Sequence, residues 1–106
     1  MARAASYRDL QAEGLKLRQR VARHGLTGPA VEALVRDVRV WQLRCAVAVA
    51  VRSPGLVAEF RSRAGALQER ASHGWTAAPD WQPALSVLIS SWIGAIDWAE
   101  AAGAEG

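Results

Sequence analysis

Apolar residues recur every three or four positions through most of the chain, and no segment alternates apolar with polar as a half-buried strand does. The first seam, Tyr7, Leu10, Gly14, Leu17 and Val21, predicts a helix over residues 6–24. Gly25 stops it, because glycine takes the left-handed conformation at little cost, and Leu26 is placed to fold back as the hydrophobic residue beyond the cap. Thr27 offers an N-cap oxygen and Pro29 suits the first turn of a second helix over 29–52. That helix presents Val31, Leu34, Val35, Val38, Trp41 and Cys45 on one broad face. From Cys45 to Val51 every residue is apolar, so this half of the helix is expected to be surrounded.

Ser53-Pro54 restarts the chain as N-cap and first-turn proline. A third helix over 54–73 carries Leu56, Val57, Phe60, Ala64, Leu67 and Ala71, and ends at Gly74. Asp80 can cap a fourth over 81–102, with Trp81, Leu85, Leu88, Trp92, Ile96 and Ala99 on its main face. The tail, 103–106, should fray. The expected fold is therefore an all-α antiparallel four-helix bundle, one domain spanning 1–106. His24-Gly25-Leu26-Thr27 and His73-Gly74-Trp75-Thr76 echo one another. Downstream, Pro29-Ala30-Val31 resembles Pro83-Ala84-Leu85, but the first pair lies forty-nine residues apart and the second fifty-four, so the echo reads as shared helix punctuation and not as a duplication.

Charge changes this picture more than composition does. All thirteen basic residues lie at or before Arg70, where six acids leave the first seventy residues at +7. The remaining thirty-six hold four acids, no base, and four of the five tryptophans. Folding alone requires no such separation, so it points to contact with a partner. A lone cysteine, Cys45, cannot close an internal disulfide, and Met1-Ala2-Arg3 leads into charged helix with no apolar leader core. The expected location is the cytoplasm. The uncharged run 81–96 is shorter than the roughly twenty apolar residues a membrane span needs, so no membrane is expected.

Candidate chemistry is sparse. His24 and His73 each sit beside a helix-ending glycine, where an imidazolium favours the last carbonyls. Metal-ligand spacings, a phosphate-binding glycine loop and a nucleophile–base pair are all missing from the sequence, and Cys45 falls in the most apolar helix. The expectation is a non-catalytic protein without metal or cofactor. Val21, Gly25, Leu26, Thr27, Val31 and Leu34 repeat, weakly, the spacing of a helix-turn-helix over 19–36. Gly28, Ala30, Glu32 and Ala33 would then face the base edges, and they read bases poorly. Nucleic acid is thus the second candidate partner, through Arg18, Arg20, Arg23, Arg36 and Arg39.

The fourth helix yields the sharper expectation. Val87 and Trp98 lie about a third of a turn off its main face, and Ser86, Ser90 and Gly94 form a small-residue stripe beside them. A helix with two apolar sides packs on two bodies. The expected function is a small helical interaction or adaptor subunit that self-associates, or joins a larger assembly, through helix four and the apolar half of helix two. Val87, Trp98, Ser90 and Gly94 are its candidate interface residues; the alternative is a nucleic-acid-binding regulator or small subunit using the basic first seventy residues.

Overall fold

A computed structural model describes residues 6–23, 25–65 and 81–105. Four helices pack as an antiparallel bundle, with no strand among the described residues: α1 (Tyr7–Val21), α2 (Gly28–Arg52), α3 (Val57–Ala64) and α4 (Trp81–Glu105). A single 3-10 turn, Pro54–Leu56, leads from α2 into α3.

The predicted α1 seam is the one that is buried. Ser6 caps the helix by accepting the Asp9 backbone N–H at 3.1 Å. Gly14 is the close-approach point. A Cβ there would lie 2.6 Å from Trp41 Cζ2 and 2.9 Å from Ile93 Cγ1, so only glycine lets α2 and α4 meet α1 at this level. Trp41 Nε1 donates to the Leu10 carbonyl at 2.8 Å, which fixes the ring across the α1–α2 interface.

Helix α4 lies between α1 and α3. Gln82 donates to the Val21 and Arg23 carbonyls at 3.0 and 3.1 Å, satisfying acceptors that the end of α1 leaves open. On the other side, Trp92 Nε1 donates to the Gly65 carbonyl at 2.9 Å and the Ser91 hydroxyl donates to the Arg63 carbonyl at 3.2 Å. Trp92 is the hub of the core. Its ring meets Phe60 edge-on at 5.4 Å and Trp41 at 6.2 Å, so it joins α3 to α2 across the bundle. Leu10, Leu34, Phe60, Leu85, Ile89 and Ile96 are fully buried in the same core, each worth roughly 1.5–3 kcal/mol relative to exposure.

Several local expectations shift. Helix α1 ends at Val21, and Gly25 (φ +72) makes the following turn with Leu26 packed back on the core. Thr27 and Ser53 occupy N-cap positions, but neither side chain makes a capping hydrogen bond. Helix α3 stops at Ala64 because Gly65 turns out at φ +87, well before the expected end at 73. Helix α4 continues to Glu105, into the stretch expected to fray. His24, Asp80 and everything from Ala66 to Pro79, including His73, Gly74 and Trp75, lie outside the described residues.

Candidate interaction surface

The apolar half of α2 is not surrounded. Its inward side, including Val38, Trp41, Cys45 and Val49, is sealed, whereas Val40, Leu43, Val47 and Val51 remain 53, 64, 50 and 66% exposed. The geometry follows from 3.6 residues per turn: those positions are spaced by three, four and four and share one face, opposite the core. With Arg36 and Ala50 they form a heptad seam, Arg36, Val40, Leu43, Val47, Ala50, of the kind that packs against another helix. Seven consecutive apolar residues from Cys45 to Val51, where one face needs only three or four, fit a surrounded helix and a helix with two apolar faces equally well.

Charge flanks the seam unevenly. Arg44 is held by Glu13, with Nη1 2.7 and 2.6 Å from the two carboxylate oxygens, and Arg20 reaches Asp37 at 2.9 Å. Both pairs tie α1 to α2, and with 38–47% of each side chain open to solvent each contributes about 1 kcal/mol at most. Between them runs an open groove of about 400 Å³ over Leu17, Val40 and Trp41. Arg36 and Arg39 are exposed and make no ion pair among the described residues.

On α4 the four expected interface residues divide. Val87 is 69% exposed, Ser90 is exposed and accepts a hydrogen bond from Arg18 at 3.1 Å, and Gly94 opens onto free space with nothing within 4 Å of a Cβ. Trp98 instead rests partly buried on the core, with the Arg63 guanidinium 4.5 Å above its ring. Val87 and Trp98 are eleven residues apart, nearly three whole turns, so rotation alone would put them together. Arg63 of α3 covers the level of Trp98 and leaves that of Val87 open.

The five arginines considered for nucleic acid do not converge. Arg18 points to α4 and Arg20 to α2, on opposite sides of α1, while Arg23 is exposed beyond the helix and Arg36 and Arg39 lie on the outward face of α2. Cys45 is fully buried, and its burial first, then Glu13, push the thiol up to about 12 against the opposing pull of Arg44. Such a thiol is a poor nucleophile at neutral pH. The Tyr7 hydroxyl is also raised, by burial and secondarily by Glu100, with Arg52 opposing. No described helix is long and apolar enough to cross a membrane.

No family model, curated protein or solved structure matches this chain. The functional reading therefore rests on the surface itself.

Proposed function

We infer that this protein is a small, non-catalytic helical interaction subunit, and that the outward face of α2 is its principal contact surface. The carrying observation is the seam of Val40, Leu43, Val47 and Val51, each at least half exposed on one side of a helix whose other side is sealed. Contiguous apolar patches on soluble monomers are usually small, and larger ones mark contact sites. Completing the burial of these four side chains is worth on the order of 1 kcal/mol each by apolar area. Association itself costs at least about 4 kcal/mol, so the seam needs flanking charges or further area to hold a partner. Arg36 and Arg39 supply unpaired charge beside it.

The nucleic-acid reading has less behind it. Phosphate contacts require cations gathered on one surface, and here Arg18 and Arg20 are tied to opposite neighbours.

The test compares the native mass of the protein in extracts of the cells that make it with that of Leu43→Glu. A complex larger than the 11.4 kDa chain that collapses to monomer on this substitution is the expected result. A wild-type protein that runs as a monomer both in extract and when purified would remove the reading.

A further inference from the structure

We propose that the outward seam of α2 is covered by the outward face of α4 from a second copy of this chain, in a head-to-tail contact that repeats. The proposal rests on the interaction-subunit reading and names the partner. Shape and charge both bear on it. Helix α4 carries its own heptad seam, Val87, Ser90, Gly94 and Asp97, exposed along its length. Run antiparallel to α2, the two seams interlock in a register that also sets Val40 opposite Asp97. Leu43 falls opposite Gly94, Val47 opposite Ser90 with its bound Arg18, and Ala50 opposite Val87, so that the largest apolar side chain of the α2 seam enters the open space above the glycine of the next copy.

Charge favours this pairing over α2 with a parallel α2. In the same register Arg39 flanks Glu100 of the neighbouring copy, and Arg36 lies one turn from its Asp97. All four are exposed, and none makes an ion pair among the described residues. Pairing α2 in parallel with another α2 would instead set Arg39 beside Arg44 and Glu32 beside Asp37, like against like. Helix α2 belongs to the +7 segment and α4 to the −4 segment, with Arg18 of α1 and Arg63 of α3 bordering the α4 face.

Helices α2 and α4 sit diagonally across the bundle, linked through Trp41 and Trp92, so their outward faces point in opposite directions. A heterologous contact between opposed faces propagates instead of closing as a dimer.

The decisive experiment uses two variants, each spoiling one surface. Leu43→Glu removes the α2 seam, and Gly94→Arg fills the α4 space, where a Cβ meets nothing within 4 Å. Circular dichroism checks that both fold, with Val47→Glu as substitute for the first. In sedimentation, the wild-type protein should exceed twice the chain mass and keep rising with concentration. Each variant alone should be monomeric. Mixed in equal amounts they should give a dimer and nothing larger, since one intact surface of each kind remains. Arg39→Glu should weaken assembly at least tenfold, and adding Glu100→Arg in the same chain should restore it. A Gly94→Arg protein that still dimerises, a mixture that stays monomeric, or a purified wild type that is monomeric throughout would overturn the proposal. In that last case, a larger native mass in extract would leave the interaction-subunit reading standing with a different partner.

Discussion

The inward and outward faces of α2 are made of nearly the same side chains and have opposite fates. Inward, Val38, Cys45 and Val49 are sealed; outward, Val40, Val47 and Val51 are at least half exposed. Hydrophobicity alone therefore does not select the buried face. The difference is Trp41, which adds a large apolar ring and a directional bond to Leu10, opposite a glycine that makes room for it. Burying an indole without a partner for its N–H would carry a desolvation penalty, so the bond to Leu10 makes one rotation of the helix the favourable one. The outward face has no such anchor.

The largest expected effect tests that anchor. Trp41→Ala removes a ring that is 2% exposed, its hydrogen bond to Leu10, and its contact with Trp92. The expected loss in urea denaturation is about 3–5 kcal/mol, the range for large aromatic truncations in a core. A loss below about 1 kcal/mol would mean that Trp41 does not set the rotation of α2.

A smaller effect comes from the glycine opposite. Gly14→Ala places a methyl group 2.6 Å from Trp41 and 2.9 Å from Ile93, and overpacking of this kind costs roughly 1–3 kcal/mol. Alanine returns at most about 1 kcal/mol in helix propensity, so a net loss is expected. Gly94→Ala meets nothing within 4 Å and should stabilise the monomer by about 0.5–1 kcal/mol. Two mid-helix glycines should thus shift the thermal midpoint in opposite directions, and equal signs would contradict the close approach at Gly14.

These contrasts show what the sequence could and could not convey. The seam of α1 is legible because a helix with one apolar stripe has one way to turn: Leu10, Leu17 and Val21 are all buried. On α4, Leu85, Trp92, Ile96 and Ala99 of the expected face are buried while Trp81 and Leu88 are only partly so, and Ile89 and Ala95 join the core instead. The all-apolar run of α2 was ambiguous because every rotation looks equally hydrophobic, and the choice depends on Gly14 and Leu10 of another helix. Gly65 ending α3 was hidden among good helix formers, since a single glycine inside a periodic segment is tolerated as often as it stops one. Trp98, expected off the core face of α4, packs partly buried on the core. Its cover by Arg63 depends on where α3 passes, which no spacing within α4 encodes.

Two thiols one half-turn apart would sharpen the comparison further. Cys45 is fully buried with its thiol pushed up to about 12 from an ordinary value of 9.0, so a thiol reagent at pH 8 should modify it only at the rate of unfolding. In the dilute monomer, a thiol introduced by Val47→Cys, half exposed, should react at nearly the rate of a free cysteine. The raised value also sets a pH dependence. The unfolded thiol ionises above about pH 9 while the folded one stays neutral, so the unfolded state gains as pH rises from there toward 12. Tyr7, raised from 10.0, acts with the same sign. Stability should therefore fall in alkali, and Cys45→Ala should flatten the slope near pH 9–10.

The smallest effect is expected on the outward face itself. Leu43→Ala and Val51→Ala shorten side chains that are 64 and 66% exposed, so little area returns to water on substitution. Alanine also has the higher helix propensity, by up to about 0.7 kcal/mol over valine, which offsets part of what is lost. At concentrations dilute enough for the monomer, both variants should unfold within about 0.5 kcal/mol of the wild type, as surface substitutions usually do. The same variants should weaken assembly when concentrated, because Leu43 and its neighbours have a second helix to lose there. A cost above about 2 kcal/mol in the dilute monomer would show that the outward face is covered within the fold, and the contrast between the two sides of α2 would disappear.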